Sequence, residues 1–396
     1  MKKSIQYLII YTLSIICLIN CTSKKETKET DKNKIIKKED SYTPKFNKLS
    51  KTFIKEKIKE INPFYYDVIG NKNFNGMFLV AKNGKIIYEK VNGFLNHEEK
   101  TKLKNNTPIH LASISKVATA LAIMRLVDKN KIKLEDDICK YLPLIPYKGI
   151  TVRMLLNHRS GIPYYGYFSD KIWDKNKIMT NEDVLQMLNK HKFPLNFQSN
   201  TKFKYCNTNF ALLALIIEKV TEKKFPKAMK ELIFEPLKME NTFIIGEPEK
   251  INTISPSYYT NLSKYDVNFL DGIYGDKNMY STARDILKMD IGTYSNDFLS
   301  KDAKKEIYRG YSYEEKGTNN YALGMRMVEV PNKKKYFFHT GWWHGNTGCY
   351  ATLRKDTVCI VALSNTYTRS VYNIYKLANL FKGYPFENEK VECYLP

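Results

Sequence analysis

A serine and a lysine three positions apart, Ser113 and Lys116, stand at the start of an apolar helical pattern. Residues at this spacing share one face of a helix, so the two side chains can meet. A lysine beside a serine can take the hydroxyl proton and make the oxygen a nucleophile. A helix N-terminus also favours the negative charge that forms when a serine attacks a carbonyl. The pair therefore predicts acyl transfer through Ser113.

The same spacing occurs again at Ser199 and Lys202, so spacing alone does not identify the nucleophile. This second pair follows Pro194 in a polar stretch where no helix is predicted to begin. Ser115 is a further hydroxyl near the first pair, but it has no lysine one turn ahead of it. The helical context therefore favours Ser113.

A second motif, Tyr205-Cys206-Asn207, lies immediately before another very apolar helical pattern. A tyrosine near a lysine can carry a proton between reacting groups. The asparagine amide both donates and accepts, so it can hold a lysine and a substrate amide together. Tyr259 and Tyr294 are also followed by an asparagine two positions later, so a surface tyrosine and asparagine are the alternative for any single copy.

A third motif, His339-Thr340-Gly341, comes at the end of a predicted strand over residues 336–339. A glycine at this point lets the backbone approach a substrate closely. A donor side chain beside it can bind a carboxylate or a carbonyl. A structural strand histidine is the alternative interpretation of His339.

The elements around these motifs predict an α+β fold. Strands are predicted over residues 78–81, 85–91, 321–330, 336–339, 348–354 and 357–363, the first two joined by an Asn-Gly turn. Helices are predicted over residues 113–128 and 207–220, with an amphipathic helix over 371–382. Strands at both ends imply one antiparallel sheet around a large, mostly helical insertion, with a catalytic cleft where the two parts meet.

In order and spacing, the three motifs resemble the serine β-lactamase and penicillin-recognising enzyme superfamily. The resemblance is strongest to the branch of class C β-lactamases, D-alanyl-D-alanine carboxypeptidases and related esterases, and it covers roughly residues 60–380. Further segments that carry it are 155–163 (LLNHRSGIP), 203–210 (FKYCNTNF), 233–239 (IFEPLKM), 280–285 (YSTARD) and 363–365 (LSN).

The resemblance implies a β-lactamase/transpeptidase-like fold and a serine hydrolase that works through an acyl-enzyme without a cofactor or metal. Its implied catalytic residues are Ser113 as nucleophile, Lys116 as general base or proton relay, and Tyr205 as the group that shares this proton and protonates the leaving group. The substrate-binding residues that it implies are Asn207, His339, Thr340, Gly341 and Trp342. Backbone N–H groups of Ser113 and Trp342 would form the oxyanion hole. His158 in the 155–163 segment is interpreted as structural.

Two departures from the family pattern concern the substrate. His339 stands where lysine is common, and histidine is mostly neutral near pH 7, which fits carboxypeptidase and esterase members better than a dedicated β-lactamase. Trp342 and Trp343 follow the glycine where small residues are common, so the rim is expected to be narrower or more aromatic. The aromatic run that includes Tyr164, Tyr165, Tyr167 and Phe168 either lines the cleft or packs on itself.

The N-terminus predicts export. Two lysines precede an apolar stretch over residues 5–19, and residues 18–21 read Leu-Ile-Asn-Cys, which resembles a bacterial lipoprotein processing site. We expect a lipoprotein signal peptide over 1–20, lipidation of Cys21, a flexible charged tether over 21–42 and a hydrolase domain over 43–396. An ordinary signal peptide or an uncleaved anchor is the alternative. The predicted location is the bacterial cell envelope, with membrane contact through the lipid anchor.

The net charge of +23 comes from 64 lysines and arginines against 41 acidic residues. Export and the lack of any nucleic-acid-binding motif argue against nucleic acid as a partner. Attraction to anionic lipid or wall polymer is one interpretation, and lysines that solvate the surface are the favoured one. Cys349 is expected to face Ala362 across a hairpin, so no disulfide to Cys359 is predicted.

The first substrate hypothesis is a D-amino-acid peptide of peptidoglycan, followed by simple esters and β-lactams. A non-catalytic, cell-wall-binding lipoprotein is the alternative from another class. Intact Lys116 and Tyr205 argue against it, because a pure binding protein has no need of them beside Ser113. The sequence leaves the oligomeric state open.

Overall fold

A computed structural model describes residues 42, 44–70, 74–246 and 255–386. The predicted signal peptide, Cys21 and all but the last residue of the predicted tether lie outside these residues. Their assignments stay predictions.

Seven strands form one antiparallel sheet that joins the two ends of the chain. The strands of the described residues are β1 (Gly76–Lys82), β2 (Lys85–Asn92), β3 (Phe94–Asn96), β4 (Thr101–Lys102), β5 (Ile109–His110), β6 (Phe243–Ile244), β7 (Met279–Ser281), β8 (Asn319–Tyr321), β9 (Arg326–Val328), β10 (Tyr336–Trp343), β11 (Asn346–Leu353) and β12 (Val358–Ser364). The sheet order is β2-β1-β12-β11-β10-β9-β8. Strands β5, β7 and β6 make a small second sheet, and β3 pairs with β4. The predicted α+β architecture is confirmed.

The helices occupy mainly the segment between β5 and β8. In chain order they are α1 (Lys51–Phe64), α2 (Ser115–Asp128), α3 (Val152–Leu156), α4 (Tyr165–Ile172), α5 (Asn181–His191), α6 (Asn207–Thr221), α7 (Phe225–Met229), α8 (Ala283–Gly292) and α9 (Lys301–Ile307). Helices α2 and α6 are buried almost all round. A helix of this kind is a core element, which makes both good supports for catalytic side chains at their N-termini.

Alternating residues of β1 face two separate hydrophobic cores. Met77 and Leu79 belong to the core shared with α2 and α6, whereas Phe78 and Val80 belong to the core shared with α1 and the C-terminal helix. This alternation follows from the two-residue period of a strand. The sheet therefore lies between two helical layers and is buried on both faces.

The turn and register predictions of the sheet are confirmed. Asn83 and Gly84 join β1 to β2 with φ of +49° and +70°, the left-handed pair that a type I′ turn requires. Cys349 pairs with Ala362 across β11 and β12, and Cys359 pairs with Thr352. The two cysteines are therefore not opposite each other, and no disulfide joins them.

The single strand predicted over residues 321–330 is wrong. The chain forms two short strands, β8 and β9, because Gly324 turns it with φ of +78°. A Cβ at Gly324 would stand 2.4 Å from the Ala120 side chain and 3.1 Å from the Lys116 carbonyl oxygen. The glycine thus allows this turn to pack directly against α2.

The C-terminal helix is present over Ser370–Leu380, but it is a 3₁₀-helix. Val371, Ile374 and Leu377, spaced three apart, are all buried. A 3₁₀-helix has three residues per turn, so this spacing places the three side chains on the face toward the sheet.

Among the described residues, no helix combines the length and the apolar character that crossing a membrane requires.

Candidate active site

The predicted nucleophile lies in a 3₁₀ turn that leads directly into α2. Ala112–Ile114 form the turn and α2 begins at Ser115, so Ser113 precedes the α-helix that the sequence predicted it to begin. The Nζ atom of Lys116 still lies 2.9 Å from Ser113 Oγ and donates to it. The structure therefore brings together the first two predicted catalytic residues.

Lys116 is completely buried and has a second hydrogen-bond acceptor. Its Nζ donates to the carbonyl oxygen of Asp276 at 2.8 Å, and it lies 5.1 Å from the centre of the Tyr205 ring and 5.7 Å from that of Phe210. Two acceptors and two aromatic rings hold the amine against Ser113. Lys116 and Asp276 are 160 positions apart in the sequence, so no local sequence pattern predicts this hydrogen bond.

The backbone just before Ser113 is held by a histidine that the sequence analysis did not single out. Ala112 has φ of +47°, a strained value for a residue with a side chain, and its N–H donates to His110 Nδ1 at 3.0 Å. The other ring nitrogen of His110 lies 3.1 Å from Asn278 Oδ1, to which it donates. Burial lowers the pKa of His110 to about 4. The neutral ring can therefore accept the Ala112 N–H at physiological pH.

Tyr205 and Asn207 lie at the N-terminus of α6, next to this pair. The Tyr205 ring packs 4.4 Å from the ring of His158 and lies 4.8 Å from the Arg326 guanidinium. Burial raises the pKa of the nearby Tyr164 hydroxyl to about 12, and the Asn207 side chain partly offsets this rise. The Oδ1 atom of Asn207 is buried and has no hydrogen-bond partner in the part of the chain that the structure describes. An unpaired amide oxygen is available for a substrate N–H or for a lysine proton.

The third motif lies within β10, not at the end of a shorter strand. Thr340 is buried, Trp342 is 53% exposed, and Gly341 packs against the turn that carries Ser113. His339 is fully buried and bonded inside the protein. Its Nδ1 donates to the Thr340 carbonyl oxygen at 2.7 Å, and its Nε2 accepts from the Tyr321 hydroxyl at 3.2 Å.

A chain of hydrogen bonds, in which His158 donates to Tyr321 and Tyr321 donates to His339, connects the second and third motifs. His158 Nδ1 accepts the backbone N–H of Cys206 at 3.2 Å, which leaves the proton of the neutral ring on Nε2. That Nε2 donates to the Tyr321 hydroxyl at 3.2 Å, and Tyr321 donates to His339. Burial, together with the nearby charge of Arg326, keeps the pKa of both histidines well below the ordinary value. These bonds fit the structural role that the sequence analysis gave to His158.

A buried charged cluster lies behind Lys116. The Tyr165 hydroxyl donates to Asp276 Oδ2 at 2.7 Å and accepts from Lys277 Nζ at 2.8 Å. Burial lowers the pKa of Lys277 and raises that of Tyr165. Buried charges of this kind need such partners, and the cluster fixes the backbone of Asp276, the second acceptor of Lys116.

The competing pair at Ser199 and Lys202 does not form a comparable site. Ser199 Oγ donates to the Ser160 carbonyl oxygen at 2.8 Å, and Lys202 Nζ lies 5.4 Å from the centre of the Phe197 ring. No helix begins at Ser199. The context argument that favoured Ser113 is confirmed in this respect.

A cavity of about 370 Å³ lies beside Tyr205, and Arg326 is among its lining residues. The Nε atom of Arg326 is buried without a hydrogen-bond partner among the described residues. The sequence analysis missed Arg326, because nothing in the β8–β9 segment distinguishes it from a solvent-facing arginine. We call this cavity the Arg326 cavity.

The family match and the relatives below identify the chain as a serine hydrolase. Residues 56–382 match the Beta-lactamase family, and the chain belongs to this family.

Relatives of known name agree with this assignment. Penicillin-binding protein 4* of Bacillus subtilis is 32% identical over 347 residues, which cover 81% of this chain and 76% of that protein. Teichoic acid D-alanine hydrolase of Staphylococcus aureus is 29% identical over 272 residues, which cover 67% of this chain and 65% of that protein. The structure of a penicillin-binding protein homologue from Pyrococcus abyssi has a TM-score of 0.70 at 25% identity, covering 83% of this chain and 78% of that chain.

Proposed function

We propose that this serine hydrolase acts on a D-amino-acid peptide through an acyl-enzyme at Ser113, as a carboxypeptidase of peptidoglycan does. The observation that carries the proposal is the 2.9 Å contact between Lys116 Nζ and Ser113 Oγ. Arg326, which lines the cavity beside Tyr205, supports the peptide substrate, because a guanidinium suits a terminal carboxylate. The similarity to penicillin-binding protein 4*, a protein named for binding penicillin, supports a site that penicillins acylate.

The reaction follows from the roles assigned to each side chain. Ser113 Oγ attacks the carbonyl carbon and its proton passes to Lys116. The backbone N–H groups of Ser113 and Trp342 receive the oxyanion. Tyr205 protonates the leaving nitrogen as the C–N bond breaks, and Lys116 passes the proton that it took from Ser113 on to Tyr205. Asn207 holds the substrate amide, and strand residues 340–342 border the bound chain. Water then attacks the ester and releases the acid while the proton returns to Ser113.

Hydrolysis of a D-alanyl ester is the second candidate. The similarity to teichoic acid D-alanine hydrolase favours it, and so does the neutral, buried His339, which supplies no fixed charge for a substrate carboxylate. β-Lactams are the third substrate class for the same nucleophile.

Covalent labelling tests the nucleophile. The purified full-length protein is incubated with a fluorophosphonate probe and with a fluorescent penicillin, and the adduct is mapped by mass spectrometry. We expect the adduct on Ser113 and none in Ser113→Ala, whereas the matched variant Ser199→Ala labels like the wild type. A folded protein that reacts with neither probe would support the non-catalytic binding protein instead. Reaction with the fluorophosphonate alone would favour peptidase or esterase action over penicillin recognition.

Paired substrates separate peptide from ester hydrolysis. A D-alanyl-D-alanine peptide is compared with its C-terminal amide and with a D-alanyl ester. We expect the free acid to be preferred by about tenfold or more, and Arg326→Gln to remove this preference. Equal rates for acid and amide, with faster ester hydrolysis, would select the second candidate.

We also propose that the protein is exported and held at a membrane by a lipid on its N-terminus. Residues 1–20 would direct export, Cys21 would carry the lipid and residues 21–42 would hold the enzyme near the membrane of the cell envelope. Labelled palmitate fed to a bacterial host should mark the full chain and Cys17→Ala, but not Cys21→Ala. Release of an unlabelled protein would support an ordinary signal peptide.

A further inference from the structure

The last residues of β10 are paired with a neighbouring strand on one side only. Strand β11 pairs with β10 as far as Trp343, whereas β9 pairs with it only over residues 336–338. Among the described residues, no strand pairs with residues 339–343 on the β9 side. Trp342, whose N–H is assigned to the oxyanion hole, belongs to this half-paired end. Contacts other than a strand ladder must therefore fix the end of β10 on that side.

The side chain that holds this end is Asp271, in the segment over residues 265–278 that precedes β7. Its carboxylate is 6% exposed. One oxygen, Oδ1, accepts from Trp343 Nε1 at 2.6 Å and from His344 Nε2 at 2.9 Å, and Oδ2 accepts the backbone N–H of Asn268 at 2.7 Å. Hydrogen bonds to a buried carboxylate are stronger than those between neutral groups. Since Trp343 and His344 directly follow Trp342, they attach the end of β10 to the 265–278 segment.

The carboxylate keeps its charge in this buried position. Burial favours the neutral acid, but the hydrogen bond and charge of His344 and the N–H of Asn268 hold the pKa of Asp271 below its ordinary value. Asp271 is therefore an anion at neutral pH, and each of its donors has a charged acceptor.

The same segment also reaches the turn that carries Ser113. Asn278 Nδ2 donates to the Asp271 carbonyl oxygen, and Asn278 Oδ1 accepts from His110 Nε2 at 3.1 Å. His110 in turn accepts the N–H of Ala112, the residue before Ser113, at 3.0 Å. Asp271 thus bonds in two directions. Its carboxylate holds the end of β10, and its carbonyl oxygen holds the side chains that lead to the nucleophile.

We infer that Asp271 is a positioning residue for acylation, which holds the Trp342 N–H and the Ser113 N–H at the separation that one shared oxyanion requires. The inference rests on the proposed function, in which these two N–H groups form the oxyanion hole. Such donors stabilise an oxyanion because they are fixed before the reaction, and a displacement of about 1 Å can cost on the order of 100-fold in rate. Asp271 acts through Trp343 and His344, not on the substrate.

A pair of esters tests the oxyanion hole directly. The kcat/KM of the full-length protein is measured with the 4-nitrophenyl ester of N-acetyl-D-alanine and with its thiono analogue, in which sulfur replaces the carbonyl oxygen. Sulfur is a weak hydrogen-bond acceptor, so the oxygen ester gains more from the two N–H groups. Both rates come from one preparation, so an unfolded fraction lowers them equally and does not change their ratio.

Variants of the 265–278 segment show whether Asp271 is responsible. We expect Asp271→Ala to lower the oxygen-to-sulfur ratio of kcat/KM by about tenfold or more, since the loss of an oxyanion donor costs about 100-fold or more. Asp271→Asn keeps an acceptor oxygen for Trp343 and should restore most of the ratio. Asp266→Ala is the matched control, because Asp266 is an exposed acidic residue of the same segment, and it should leave the ratio unchanged.

Trp343→Phe is the second variant, for the case that Asp271→Ala does not fold. It removes only the indole N–H that donates to Asp271, and it should lower the ratio in the same direction. An unchanged ratio in folded Asp271→Ala, even with lower rates for both esters, would overturn the inference and limit Asp271 to stabilising the fold. An unchanged ratio in Trp343→Phe would overturn it where Asp271→Ala is unfolded.

Failure of the proposed function gives a different result. In that case the folded wild type would take no fluorophosphonate label on Ser113 and would hydrolyse neither ester. Failure of the inference about Asp271 leaves wild-type labelling and ester hydrolysis intact.

Discussion

Gly341 of β10 lies so close to Leu111 that a Cβ built on the glycine would stand 2.4 Å from the Leu111 carbonyl oxygen. The same Cβ would lie 3.3 Å from that of Ala112, the residue before Ser113. The strand and the turn of the nucleophile are therefore in direct backbone contact. Any side chain at this glycine must push them apart.

Replacement of this glycine should damage both stability and activity. We expect Gly341→Ala to lower the free energy of unfolding by about 1–3 kcal/mol, as overpacking does, and to slow Ser113 labelling by the fluorophosphonate. Gly317→Ala is the matched control, because nothing lies within 4 Å of a Cβ at that position. Urea unfolding and labelling rates measure the two effects. Wild-type behaviour of Gly341→Ala would show that the strand and turn can separate without consequence.

His110 should govern how fast Ser113 reacts. His110→Leu removes the acceptor of the Ala112 N–H and leaves that buried donor unpaired, at a cost of about 1–3 kcal/mol. We expect at least about tenfold slower labelling. His110→Asn offers an acceptor oxygen near the position of Nδ1 and should restore most of the rate. Equal labelling rates for the two variants, measured on folded protein, would limit His110 to a packing role.

The Tyr321 hydroxyl should contribute strongly to stability, because it joins two buried histidines. Tyr321→Phe leaves His158 Nε2 and His339 Nε2 without their shared partner, and each loss costs about 1–3 kcal/mol. Tyr313→Phe is the control, since this tyrosine is 65% exposed and exposed changes stay within about 0.5 kcal/mol. Urea unfolding of both variants measures the difference. Similar losses in the two would show that water replaces the hydroxyl between the histidines.

Stability should fall as the pH drops from 6.5 toward 4. Burial lowers the pKa of His110 to about 4 and those of His158 and His339 well below the ordinary value. In this window the unfolded chain binds more protons than the folded chain, so protonation favours unfolding. Each histidine adds a slope of up to about 1.4 kcal/mol per pH unit.

Unfolding free energies at pH 7.5 and 5.5 check this sign, because most carboxyl groups stay ionised over that range. His110→Asn should reduce the slope by the share of one histidine, whereas His191→Gln, at an exposed position, should not change it. The titratable groups near His110 are Asp271, His344 and Lys277. If stability were equal at the two pH values, the three rings would not be neutral in the folded protein.

The sequence by itself determined the family, several of the main strands and helices around the site, and the residues proposed for chemistry. Local patterns sufficed for this: the Asn83-Gly84 turn, the alternation of the strands, and the three motifs whose order matched the family. The strand register was also accessible, since turn position and the two-residue period placed Cys349 opposite Ala362. These features depend on neighbouring residues, so they can be read along the chain.

Only the tertiary structure decided which side chains surround those residues. Lys116 contacts the carbonyl oxygen of Asp276, Arg326 lies over the ring of Tyr205, and His339 bonds to Tyr321 inside the protein. The sequence analysis predicted one strand where the Gly324 turn packs against α2 between β8 and β9. A close approach between two backbones leaves no periodic pattern in the sequence, so this turn was missed. Contacts between distant segments follow from how the sheet and the helices pack, and that packing places the Arg326 cavity beside Tyr205.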